Sequence, residues 1–171
     1  MPFYQESVGL HMKVKSKLNP RKRLVRQHPR VTEVHSDIKP SQATDVFWMS
    51  ARRKRGTYPN STVKSGKWLV FVPTISIDTA WAKIKKATEE GRLGSASKVS
   101  TARPNPNAND PSQHVVCVYT YDWTDESDVR RIREELRKLG FTNKLPYKSD
   151  EDTMEGKYRV TGHRKISKYY E

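Results

Sequence analysis

The distribution of charge along the chain most constrains what it can fold into. The first 65 of the 171 residues hold 14 basic and 4 acidic side chains, which supplies +10 of the formal net charge of +14. The same stretch carries Pro2, Pro20, Pro29, Pro40 and Pro59 and has little hydrophobic periodicity. Like charges repel, and proline interrupts both helices and strand ladders, so such a segment cannot supply half of a core. Residues 66–160 are nearly balanced, with 16 basic against 14 acidic side chains. The expected organisation is a basic disordered tail over residues 1–44, one domain over 45–160, and a short basic C-terminal tail over 161–171.

The basic stretch contains two dense clusters, Lys13 to Arg30 and Arg52-Arg53-Lys54-Arg55. Each can neutralise phosphates and release counterions without reading sequence, which points to a polyanionic partner. The same clusters have the composition of nuclear import signals or of a plain solvated linker, and the early scarcity of acids suits a mitochondrial presequence, although the prolines break its helix. Within this stretch, Val46-Phe47-Trp48-Met49 is an apolar island expected to dock as an edge strand, with Arg52 to Arg55 in a loop held against the domain.

From Gly66 onward the pattern is that of alternating strands and helices. Lys67 to Val72 is aromatic and β-branched and stops at Pro73, as a buried strand does. Ile77, Trp81, Ile84 and Ala87 recur at helical spacing, with Asp78 as the expected N-cap and Gly91 ending the helix. Lys98 to Thr101 reads as a short strand, and the Pro- and Asn-rich stretch Ala102 to Ser112 reads as a long loop. His114 to Tyr121 is nearly continuously apolar and so is expected at the centre of the sheet. Asp125 to Leu139 is an amphipathic helix with acids in its first turn and Gly140 at its end. Leu145 to Lys148 and Gly156 to Val160 are weaker strands. The order of elements predicts an α+β domain, one sheet with two helices packed on one face.

Several chemistries are excluded or weakened by what is absent. The longest apolar run, Trp68 to Pro73, is far shorter than the roughly 20 residues of a membrane-spanning helix, so no membrane partner is expected and the chain reads as intracellular, cytoplasmic or nuclear. Cys117, the single cysteine, rules out an internal disulfide and reads as a small buried hydrophobe. The five histidines have no metal-ligand spacing among themselves or with Cys117, so neither a metal nor another cofactor is expected. Gly91 to Lys98 fits neither the P-loop nor the dinucleotide fingerprint.

A series of short motifs, in order, resembles the basophilic-leukaemia-expressed protein family. They are Ser65 to Leu69, Ile77 to Trp81, Gly91 to Gly94, Lys98 to Thr101, Val116 to Thr120, Leu136 to Gly140, Tyr147 to Asp150 and Gly156 to Tyr158, so the resemblance covers roughly residues 45–160. It implies a fold like that of the cap-binding translation initiation factor 4E, a curved and mainly antiparallel sheet backed by helices. It also implies a distant similarity to phosphothreonine lyases.

Two functions of different class follow. The first is non-enzymatic binding of RNA or a nucleotide, with the basic tail giving affinity and the sheet offering an anion-binding face. A ribonucleoprotein or protein partner for the tail fits this reading. Lys67 and Lys98 hold phosphate, Arg103 closes over it from the long loop, Tyr119 or Trp123 offers a ring for stacking, and Lys148 together with Arg52, Arg53, Lys54 and Arg55 adds positive charge. Trp81 belongs to a core-facing helical stripe, and Trp68 must point to the face opposite Lys67. The second function is elimination of phosphate from phosphothreonine. By resemblance, Lys98 takes the place of the base, Lys67 of a phosphate-holding lysine, and Tyr119 of an active-site tyrosine. The lyases keep a histidine as general acid two residues beyond that phosphate lysine, where this chain has Leu69, which cannot give a proton.

Overall fold

The computed structural model describes residues 38–105, 108, 110–156 and 167–171. The cluster Lys13 to Arg30 and all but the first residue of the expected strand Gly156 to Val160 lie outside these residues. The strands are β1 (Trp48–Arg52), β2 (Gly66–Pro73), β3 (Ala96–Ser100), β4 (Gln113–Thr120), β5 (Pro146–Ser149) and β6 (Tyr169–Tyr170); the helices are α1 (Ile77–Glu89), α2 (Glu126–Lys138) and α3 (Asp150–Met154). All strand pairs are antiparallel, in the order β1-β3-β4-β2-β5-β6. The domain is thus α+β, with the two most apolar strands at its centre as their sequences require.

Strand alternation separates the faces of the sheet. Trp68, Val70 and Val72 of β2, Val116 and Val118 of β4 and Val99 of β3 form one apolar cluster with Ile77, Trp81 and Ile84 of α1 and Val129, Ile132 and Leu136 of α2. Both long helices therefore cover the same face, and each fully buried aliphatic or aromatic side chain contributes roughly 1.5–3 kcal/mol. Trp68 also donates its indole N–H to the Val129 carbonyl at 3.0 Å, which ties β2 to α2.

Several local expectations are revised. Asp78 is not the N-cap of α1, which Ser76 occupies without a side-chain bond; Asp78 lies in the first turn and accepts hydrogen bonds from the Ser41 amide and hydroxyl. That contact, with Pro40 and Ala43 buried, brings residues 40–43 against the domain. Asp125 does cap α2, accepting from the Asp128 amide. Gly91 and Gly140 follow their helices at φ +79° and +99°, the left-handed region that glycine enters without strain. The edge strand runs two residues later than the Val46 to Met49 island, because Met49 and Ala51 are the side chains that reach the core. At the other end, β6 pairs with β5, and the buried Arg133 guanidinium donates to the carbonyls of Phe141, Asn143 and Glu171.

Candidate anion-binding face

The face of the sheet opposite α1 and α2 is laid out by the strand register. Lys67 pairs with Tyr119 on one side and with Lys148 on the other, so Tyr119, Lys67 and Lys148 stand abreast across β4, β2 and β5. One step along the strands, Lys98 pairs with Cys117, which pairs with Leu69. A further step brings Phe71 opposite Val115. On the edge strand, Trp48, Ser50 and Arg52 share this face through their pairing with Ser100, Lys98 and Ala96. Side chains two apart on a strand share a face, so four strands deliver three lysines and one tyrosine to one region.

Lys67 and Lys98 are close to aromatic rings, and Lys67 and Lys148 are largely removed from water. The Lys67 and Lys98 ammonium nitrogens lie 5.6 and 5.7 Å from the Tyr119 ring centroid, and Lys98 lies 4.3 Å from that of Trp48. Lys67 is 6% exposed and Lys148 is 3% exposed. Burial pushes the Lys148 pKa down, and the neighbouring Lys67 charge pushes it further. Burial also raises the Tyr119 pKa, with Cys117 and Asp150 adding to the shift, so the phenol keeps its proton and remains a donor. The Cys117 thiol is raised by burial against the opposing pull of Lys98 and Lys67, which leaves it an inert neutral group.

Two residues of α3 complete the site and had no signal in the sequence reading. Lys67 donates to Asp150 Oδ1 at 2.5 Å and to the Thr153 hydroxyl at 3.0 Å. Asp150 is itself held by the Ser65 hydroxyl at 2.7 Å. The motif Tyr147 to Asp150 hid this role because its register against β2 is a tertiary matter. Phe71 was also overlooked: it sits inside an unbroken apolar run, yet it is in phase with Lys67 rather than with Trp68.

Other expected site residues lie elsewhere. Trp123 packs against the helix-side core, with Lys168 and Lys64 at 4.8 and 6.0 Å from its ring, and its backbone carbonyl accepts from the Tyr169 hydroxyl. It therefore offers no ring to the lysines. Arg103 is drawn instead to the segment before β1, donating to the Asp45 carbonyl at 2.6 Å with its guanidinium 4.0 Å from the Phe47 ring. Of the cluster 52–55, Arg52 belongs to β1 rather than to a loop. Arg53 donates to the carbonyls of Leu93, Gly94 and Arg55, while Lys54 pairs with Glu89 at 3.2 Å; both serve the turn after α1. Arg55 is exposed beyond that turn. His114 is buried, its Nδ1 3.3 Å from the Ser100 hydroxyl. Among the described residues no group of acids, histidines and cysteine is arranged to hold a metal ion, and no helix is long and apolar enough to cross a membrane.

The chain is similar to solved structures of initiation factor eIF4E. Schistosome eIF4E complexed with m7GpppG and 4E-BP is 16% identical, with 63% of this chain and 59% of that chain covered and a TM-score of 0.47. C. elegans eIF4E-3 with the 4E-binding protein Mextli is 24% identical over 54% and 56% of the two chains, at a TM-score of 0.43. Ascaris suum eIF4E-3 with m7G cap is 19% identical over 63% and 57%, at 0.44. The chain thus spans less than two thirds of the length of each of these structures. The family model of the basophilic leukemia-expressed protein Bles03 matches residues 56–153, a span that includes β2 to β5 and every lysine of the open face, and the chain belongs to that family.

Proposed function

We propose that the open face of the sheet binds the phosphates of RNA or of a nucleotide without covalent chemistry. The observation that carries this reading is the side-by-side placement of Tyr119, Lys67 and Lys148, with Lys98 reaching the same tyrosine ring from β3. Three ammonium groups close together where water is scarce favour an anionic ligand, which would share Lys67 with its existing partner Asp150. A neutral phenol beside the ammonium groups adds a donor of the type phosphate oxygens accept. The excess positive charge of the first 65 residues supports a polyanion as the source of those phosphates.

Lyase chemistry has less support. Lys98 and Lys67 do flank Tyr119, but Leu69 occupies the general-acid position, and His114 lies beside Ser100 rather than beside the lysines. Binding of labelled single-stranded RNA to the full chain and to a chain starting at Ile38, each across a salt series, tests the proposal. Retained binding by the shorter chain, with a shallower salt slope, is the expected result. Complete loss of binding with the tail would overturn it.

A further inference from the structure

The open face has a second end that the phosphate-binding reading leaves unused. Phe71 lies on central strand β2, four residues from Lys67 and on the same face, which separates the two along the strand by about 13 Å. Its ring is 51% exposed, whereas its neighbours Val70 and Val72 are buried against the helices. Val115 lies opposite it and Leu69 lies between it and Lys67, both half-buried, so the ring stands on an apolar floor. Trp48, on the same face at the edge strand, is level with Ser100 and has Lys98 over its ring. A large exposed aromatic ring in mid-sheet contributes little to the core and presents a flat surface.

We propose that Phe71 is a stacking platform for an unpaired base, and that the ligand of this face is single-stranded RNA spanning from Phe71 to the lysines. The inference rests on the phosphate-binding reading above and names its ligand class. Charge complementarity selects the occupant: the cationic end takes phosphates, and the aromatic end takes the faces of bases, which every nucleotide carries. The separation of Phe71 from Lys67 exceeds the distance between a base and its own phosphate. A mononucleotide stacked on Phe71 therefore does not reach Lys67 or Lys148, and an oligonucleotide spans the interval. A duplex, with its bases paired and stacked internally, has none to offer Phe71.

The test uses the full chain and its Phe71→Ala and Phe71→Tyr variants, each titrated across a salt series with labelled oligoadenylate, with a duplex of equal length and with adenosine monophosphate. Because Phe71 is exposed, the variants are expected to fold, and melting curves check this. Phe71→Ala should lose roughly 5- to 100-fold in oligoadenylate affinity, the range of one base stacked on an aromatic ring. Phe71→Tyr should retain affinity, and duplex and mononucleotide binding should be unaffected in all three proteins. Unchanged oligoadenylate affinity in Phe71→Ala overturns the stacking role while leaving the lysine face intact. Equal losses on duplex and single strand overturn it as well. Absence of RNA binding by the unsubstituted chain overturns the phosphate-binding reading and the stacking role together.

Discussion

The Lys98 ammonium stands 4.3 Å from the centroid of the Trp48 ring, joining the edge strand β1 to the lysine-bearing face of the sheet through a cation over an aromatic surface. That contact is worth about 0.5–1 kcal/mol where water has access. Removing it should therefore disturb the fold far less than it disturbs an anion. Lys98→Ala is expected to weaken phosphate or RNA binding by roughly tenfold or more, since a charge-assisted bond is worth about 1.5–3 kcal/mol. A melting curve should show a loss of at most about 1 kcal/mol. A larger loss of stability than of affinity would assign Lys98 a structural role.

Asp150 holds the Lys67 ammonium that a bound phosphate would need, and Asp150→Asn should separate stability from binding. Without the carboxylate, the buried Lys67 cation keeps Thr153 but loses its counter-charge, at a cost of roughly 1–3 kcal/mol in chemical denaturation. Phosphate affinity should rise, because the freed ammonium is available to the ligand. A parallel fall in both quantities would mean that Asp150 positions the site rather than competing for it.

Alkaline pH should weaken binding sooner than ordinary lysines would allow. The folded-state pKa of Lys148 is lowered by burial and then by Lys67, so the side chain loses its charge below the usual lysine range. An anion prefers the charged form, so affinity should fall as pH rises through this lowered value. The same group makes folding more favourable as pH rises from its folded to its unfolded pKa, because the buried charge is relieved. Lys148→Arg, which stays charged throughout, should remove the early part of the alkaline loss of affinity. An identical pH profile for this variant would show that another group titrates.

Gly94→Ala should damage the fold and the site together. A Cβ at Gly94 would overlap the backbone carbonyl of Tyr119, which no side-chain rotation can relieve. The strand carrying Tyr119 must shift, and both melting temperature and RNA affinity are expected to fall. An alanine variant with unaltered stability and affinity would contradict the close approach of these backbones.

A phosphothreonine peptide incubated with the chain is expected to keep its phosphate, because Leu69 cannot protonate the leaving group. Mass spectrometry checks this. A dehydrated product, lighter than the hydrolysed one, would establish elimination and make Lys98 the candidate base.

The α+β class, the two long helices and the central strands were legible in the chain because apolar spacing is local: Ile77, Trp81 and Ile84 mark one helix stripe, and His114 to Tyr121 marks a buried strand. Lys67, Lys98, Tyr119 and Lys148 could be named as candidates from the strand pattern together with the family resemblance, which marked Lys67, Lys98 and Tyr119. The sequence did not determine which of its other basic and aromatic side chains would join them. Arg53, read as a phosphate ligand, instead holds the carbonyls that follow α1; Trp123 turned to the helix side; Arg133, on a charged helix, became fully buried by binding three carbonyls. Asp150 entered the face only through the register of β5 on β2, whereas Phe71 shares the face of Lys67 by alternation along one strand. Local pattern fixes which side chains share a strand face, but register and helix packing decide which strands stand abreast. Those choices depend on contacts between residues far apart in the chain, such as Lys67 with Asp150, which spacing along the sequence does not encode.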